Sequence, residues 1–158
     1  MKIQVRHALD AKVADAFRLC TDQKSQQSVY ERMGVQEPRV QREGRAPNVK
    51  LRITRKVPVN PPAALRKFVS GANEVAHTEH WRAAGDGYVA DLEIEIRSVP
   101  VRIKGTKGLQ PDRNGCRIEW QFDVTSGVPL LGTLIASFAG EEIRKSVEDE
   151  YRVLTATL

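Results

Sequence analysis

Cys116-Arg117-Ile118-Glu119-Trp120-Gln121-Phe122-Asp123-Val124, followed by Thr125-Ser126-Gly127-Val128-Pro129-Leu130-Leu131-Gly132, is the stretch whose reading decides the fold. Its first part alternates strictly. Cys116, Ile118, Trp120, Phe122 and Val124 fall on one side of a strand and form its most apolar face, while Arg117, Glu119, Gln121 and Asp123 fall on the other. Gly127 and Pro129 then break the strand and introduce a helix over residues 130–158. A greasy sheet face followed at once by a long helix predicts that the helix covers the sheet.

Within that helix, Leu130, Leu131, Leu134, Ile135 and Phe138 are apolar over a wide arc, whereas Ile143, Val147, Tyr151, Leu154 and Leu158 form a narrow stripe. The early turns are therefore expected to be more enclosed than the late ones. Gly140 weakens the helix by about 1 kcal/mol relative to Ala and marks a candidate bend.

Working back from residue 116, residues 110–115 read as a loop. Before it, Tyr88, Ala90, Leu92, Ile94 and Ile96 alternate with Val89, Asp91, Glu93 and Glu95. A further strand carries Val99, Val101 and Ile103 against Arg102 and Lys104. A two-residue loop at Arg97-Ser98 and a four-residue loop through Pro100 both join them with Leu92, Ile94, Val101 and Ile103 on one face. Both registers also set the acidic row Asp91, Glu93, Glu95 against basic partners. Over 74–82, Val75, His77, Glu79, Trp81 competes with Ala76, Thr78, His80, Arg82 for the buried face, and Trp81 favours the first set. Ala84-Gly85-Asp86-Gly87 is a turn, and 70–73 another break.

The N-terminal third opens with a strand over 2–9, in which Ile3, Val5, His7 and Leu9 alternate with Lys2, Gln4, Arg6 and Ala8. Asp10 is expected to cap a helix bearing Val13, Ala14, Phe17 and Cys20, and Asp22 a second one reaching Met33, with Gly34 as its stop. A weak strand follows over 39–43. A clear one over 48–57 has Val49, Leu51, Ile53 and Val57 on one side, and Lys50, Arg52, Thr54 and Lys56 on the other. Pro58, Pro61 and Pro62 end that strand and allow a short helix to Val69. The total is about seven strands and three main helices in a single domain spanning 1–158, an α+β fold.

Length and charge bound the function. A chain of 158 residues buries roughly 70% of its unfolded surface, enough for one core. No apolar run is long enough to cross a membrane, and the charged start Met1-Lys2-Ile3-Gln4-Val5-Arg6 is unlike a signal peptide, so a cytoplasmic location is expected. Cys20 and Cys116 read as reduced core thiols. The net charge of +5 is concentrated early: residues 1–56 carry 13 Lys+Arg against 6 Asp+Glu, the remainder 12 against 14. Arg39, Arg42, Arg45, Lys50, Arg52 and Lys56 are candidates for one outward basic patch. No aromatic side chains interleave with them as base stacking requires, so nucleic acid is not an expected partner, and an anionic membrane surface, touched transiently, fits better.

No nucleophile elbow, phosphate-cradling loop or dinucleotide fingerprint is present, and no cofactor is expected. His77, Glu79 and His80 invite a metal reading, but on a strand His77 and His80 point to opposite faces and cannot share an ion. His77 and Glu79 share a face at i, i+2, where a carboxylate can orient an imidazole for acid/base work or simply satisfy it in the core. Tyr88 and Tyr151 are further polar candidates. The absence of a catalytic motif leans the chain away from enzymes.

The order of strand, two helices, six strands and long helix, closed by Gly127-Val128-Pro129-Leu130-Leu131-Gly132, resembles the START-like (SRPBCC, helix-grip) superfamily over nearly the whole chain. The helix start at Asp10, the stretch Thr78-Glu79-His80-Trp81 and the Val-Pro-Leu-Leu-Gly entry resemble an uncharacterised, chiefly actinobacterial branch classed as a domain of unknown function. The branch often carries a charged pair after that glycine; here Thr133, Leu134, Ile135 and Ala136 follow Gly132, which makes the helix entry greasier. The resemblance implies a curved antiparallel sheet wrapped around the C-terminal helix, with a cavity for a lipid, polyketide-like or aromatic molecule between them. The superfamily shares no catalytic motif, so no catalytic residue is implied.

The expected lining is His77, Glu79, Trp81, Tyr88, Leu92, Ile94, Val101, Ile103, Ile118, Trp120, Phe122, Leu131, Leu134, Ile135 and Phe138. The competing reading is that these residues merely fill a core. Two other functions stay open: an enzyme, cyclase- or hydrolase-like, acting on such a ligand, and an interaction module working through the basic N-terminal third.

Overall fold

The computed structural model describes residues 1–69 and 71–158. Ser70, within the break expected at 70–73, lies outside the described residues. The elements run β1 (Lys2–Leu9), α1 (Val13–Thr21), α2 (Gln23–Arg32), β2 (Gln36–Arg45), β3 (Asn48–Pro58), a 3-10 turn (Ala63–Leu65), β4 (Ala72–Ala84), β5 (Gly87–Ile96), β6 (Arg102–Asp112), β7 (Gly115–Thr125) and α3 (Gly132–Thr157). All strands join one curved antiparallel sheet in the order β1-β7-β6-β5-β4-β3-β2. The two ends of the chain's strand order are thus brought together at β1 and β7, and α3 lies against both.

The period-two patterns decide which face is buried. On β7, Cys116, Ile118, Trp120, Phe122 and Val124 all point inward and are at most 5% exposed. On β4 the inward set is Val75, His77, Glu79 and Trp81, the set favoured by the tryptophan. β5 and β6 take the register of the four-residue loop, Ile94 opposite Ile103, and Glu93 faces Lys104 across the outer surface at 3.2 Å.

Helix α2 starts as expected. Asp22 accepts hydrogen bonds from the Ser25 amide at 2.9 Å and the Ser25 hydroxyl at 2.8 Å, and these hold its carboxyl below the ordinary range. Gly34, at φ +78°, supplies the left-handed residue that ends the helix. Gln27 then stitches α2 to edge strand β2: its Nε2 donates to the Pro38 carbonyl at 2.7 Å and its Oε1 accepts from the Val40 amide at 3.0 Å.

Several expectations are corrected. Asp10 caps nothing; α1 begins after Lys12, whose carbonyl takes the first helical amides, with no side-chain cap. The helix expected from Pro62 to Val69 shrinks to the single 3-10 turn. The strand placed at Val99 to Ile103 begins at Arg102 and continues to Asp112, so the expected loop over 110–115 reduces to a turn at Arg113-Asn114.

Helix α3 begins at Gly132, after Leu130 has turned through φ +66°. In consequence Leu130 is fully exposed and Leu134 is 40% exposed, so the entry of the helix is less enclosed than its middle, the reverse of the expected order. Gly140 sits where the helix crosses the start of β1. A Cβ there would lie 2.6 Å from Met1 Sδ and 3.0 Å from Ile3 Cδ1, so the glycine serves close approach. The expected basic patch is divided as well. Arg39, Arg45, Lys50 and Arg52 share the outer face, whereas Arg42 stands opposite Leu51 and turns back to the Thr21 carbonyl at 2.9 Å, and Lys56 pairs with Glu37 at 3.2 Å.

Candidate functional site

The sheet's inner face and α3 do not close completely on each other. Between them lies a cavity of about 290 Å³, near the lower end of the range for small-molecule sites, roughly 300–1,000 Å³. From the sheet, Val57, Val75, Ile94, Ile96 and Phe122 supply apolar wall. Ile135, Phe138, Ala139, Ile143 and Val147 supply the facing wall from α3. One end is closed by a satellite apolar cluster in which Leu65, Val69 and Val99 pack against Ile135.

Beside the wall residues His77, Trp120 and Glu150 lies a buried polar network. Lys107 on β6 and Glu79 on β4 have no solvent exposure, and Glu150 on α3 is 4% exposed. The Lys107 ammonium contacts Glu150 Oε1 and stands 3.8 Å from Glu79 Oε2. It also sits 5.9 Å from the ring centre of Trp81 and 5.7 Å from that of Trp120. Trp81 Nε1 donates to Glu79 Oε1 at 2.9 Å. His77 Nε2 lies 3.2 Å from Glu79 Oε2, but off hydrogen-bond alignment, and neither ring nitrogen has a hydrogen-bond partner among the described residues.

The electrostatics follow from this packing. Burial acts to raise Glu79, but the Lys107 ammonium, with His77 and Trp81, outweighs it and holds the carboxyl at about 2. Burial likewise acts to lower Lys107, and the Glu150 and Glu79 carboxylates outweigh it, keeping the ammonium charged well above the ordinary lysine range. A carboxylate so held in its ionised form is a weak proton acceptor, which argues against Glu79 as a general base. Burial pushes the Cys20 thiol up to about 12, and both cysteines are free and buried.

A model of the family described as "Protein of unknown function (DUF2505)" matches residues 4–158. The chain belongs to that family. No curated protein matches this DUF2505 chain. Among solved structures it is similar to TTHA0849 from Thermus thermophilus, at 14% identity and TM-score 0.65, covering 99% of this chain and 95% of that one. It is similar to the STAR-related lipid transfer protein (fragment 25–204) from Xanthomonas axonopodis, at 16% identity and TM-score 0.58, covering 99% and 83%. It is also similar to the di-domain ARO/CYC StfQ from the steffimycin biosynthetic pathway, at 14% identity and TM-score 0.62, covering 98% of this chain and 49% of that one. These likenesses establish the helix-grip, START-like fold of the DUF2505 chain.

Of the residues expected to line the site, His77, Ile94, Trp120, Phe122, Ile135 and Phe138 do border the cavity. Glu79 and Trp81 stand in the buried network with Lys107. Leu92, Ile103 and Ile118 are buried in the main core away from the cavity wall. Val101 and Leu131 pack at the satellite cluster, and Leu134 is off the wall. Tyr88 stacks on Phe17, ring centres 3.8 Å apart, and Tyr151 stacks on His7 at 3.9 Å while donating to the Ala8 carbonyl at 2.9 Å. His77 faces inward and His80 outward on β4, and no group of three His, Cys, Asp or Glu arranged for a metal ion occurs among the described residues.

Three polar residues in or beside the DUF2505 site escaped the sequence reading: Arg55, Lys107 and Glu150. A signal existed for each. Arg55 falls between Ile53 and Val57 on the inward parity of β3, Lys107 continues the inward parity of Ile103 on β6, and Glu150 lies on the stripe of Ile143, Val147 and Leu154.

Proposed function

We propose that this protein binds a hydrophobic small molecule, lipid-like, polyketide-like or aromatic, in the cavity between the sheet and α3. The observation that carries the reading is the unfilled volume of about 290 Å³ between the sheet and α3, walled mainly by aliphatic and aromatic side chains. An apolar pocket of this size lets a hydrophobic molecule leave water and gain contacts with its walls. The relatives described as a lipid transfer protein and as an ARO/CYC protein are consistent with such a ligand. Native mass spectrometry of the protein purified from its own host tests the proposal: a retained apolar molecule in one-to-one ratio is expected, and ligand-free protein that also refuses added apolar probes would contradict it.

A second reading, catalysis on such a ligand, is favoured by one observation: His77 borders the cavity with Glu79 directly behind it. Incubating the protein with its retained ligand and finding the ligand's mass unchanged argues against it. Transient contact with an anionic membrane surface belongs to the binding proposal, through the outward cations Arg39, Arg45, Lys50 and Arg52. Co-sedimentation with phosphatidylserine vesicles that weakens as salt rises is the expected result.

A further inference from the structure

Arg55 is 7% exposed, borders the cavity, and holds its guanidinium 5.1 Å from the centre of the Tyr30 ring. Its Nε and Nη1 are buried with no hydrogen-bond partner among the described residues, and no carboxylate of those residues forms an ion pair with it. That is unusual, because an arginine withdrawn from water is ordinarily paired. The acidic groups nearby are already engaged. Of the three carboxylates on the cavity wall, Glu142 pairs with Lys145 at 3.1 Å, Asp149 with Arg152, and Glu150 with Lys107. Glu79, behind His77, is shared between Lys107 and Trp81. The Lys107, Glu79, Glu150 triad carries one negative charge in surplus, yet it reaches Arg55 with no direct contact.

His77 adds a second unsatisfied group to the same corner. Arg55 pairs with Val75 and Ile53 with His77 across β3 and β4, so Arg55 and His77 are diagonal neighbours on the inner face. Apolar wall flanks these two groups, with Val57, Val75, Ile94 and Phe122 on the sheet and Phe138 and Ile143 on the helix.

Resting on the binding function proposed above, we infer that the ligand is an anionic amphiphile whose carboxylate is received by Arg55, with His77 beside it, and whose apolar body fills the rest of the cavity. Guanidinium presents planar donors that match a carboxylate in paired hydrogen bonds, and the arginine's freedom from other partners leaves those donors available. A neutral alcohol of the same length offers one weaker acceptor and no charge.

The test uses the full chain and an uncharged apolar fluorophore, N-phenyl-1-naphthylamine, displaced at pH 8 by decanoate, decyl phosphate or decanol. Decanoate is expected to displace it at a concentration at least about tenfold below that of decanol, the loss expected when a charge-assisted hydrogen bond is missing. Decyl phosphate separates a carboxylate site from a general oxyanion site: displacement tighter than by decanoate overturns the carboxylate assignment. Arg55→Met should erase the preference, so that decanoate and decanol displace the fluorophore from this variant at similar concentrations, and the variant should melt no lower than the parent, because it removes an unpaired buried charge. Arg55→Lys should keep part of the preference. Equal displacement by decanoate and decanol, or a preference that survives Arg55→Met, overturns the inference while the cavity proposal stands. Failure of the fluorophore and all three competitors to bind takes down both.

Discussion

Lys107 and Glu150 meet inside the protein, an ammonium from β6 and a carboxylate from α3 in direct contact, with the lysine wholly withdrawn from solvent. The contact ties the cavity's helical wall to the centre of the sheet, and Glu79 completes it from β4, on the far side of β5. Neither ion is stable there alone, because leaving water costs each several kcal/mol that only the partner returns.

Removing the cation should therefore be severe. Lys107→Met leaves Glu79 and Glu150 buried without their shared counter-ion, and a loss of about 3–5 kcal/mol in urea denaturation is expected. Replacing all three charges, with Glu79→Gln and Glu150→Leu added to Lys107→Met, should recover most of it. A single variant that melts like the parent would contradict the network's role.

The same ions set a pH window. Glu79, ordinarily at 4.5, is held at about 2 in the folded chain, so its contribution to stability is full above 4.5 and is lost as pH falls through 2. Lys107 is raised from 10.5, so its contribution is full below 10.5 and is lost as pH rises through its higher folded value. Melting temperature should hold between these limits and fall on the acid side below about pH 4.5. Glu79→Gln should flatten that acid slope; an unchanged slope would count against the assignment.

Gly140 gives a packing prediction. Its missing Cβ admits Met1 and Ile3 to the helix surface, and Ile3 is 2% exposed. Gly140→Leu should destabilise the fold by about 1–3 kcal/mol through overpacking. Gly140→Ala should cost less, since alanine's helix preference of about 1 kcal/mol offsets part of the crowding. Equilibrium unfolding of both variants checks the order.

How much of this was legible depends on whether the signal was local. Alternation on β1, β3, β5 and β7 announced their buried faces, because strand parity is fixed by each residue's immediate neighbours. Trp81 tipped β4 correctly, since a large apolar side chain outweighs the polar residues sharing its face. Lys107 was lost because Gly105, Thr106 and Gly108 dilute the alternation around it and because a charge on an inward parity makes sense only once Glu150, 43 residues away, is known to be its partner. Arg55 was passed over between Ile53 and Val57 for the same reason. The enclosure of α3 was misjudged because helical spacing defines an arc but not which way it faces; the turn at Leu130 points Leu134 to solvent.

The central claim is that the space between sheet and helix receives a ligand. Ala139, buried on that wall, lets the claim be tested directly by titrating N-phenyl-1-naphthylamine into the wild type and into Ala139→Phe, whose ring would occupy the cavity. Saturable one-to-one fluorescence enhancement is predicted in the wild type, together with its loss in a variant that remains folded by circular dichroism. No saturable enhancement in the wild type, or equal enhancement in both proteins, would contradict the claim.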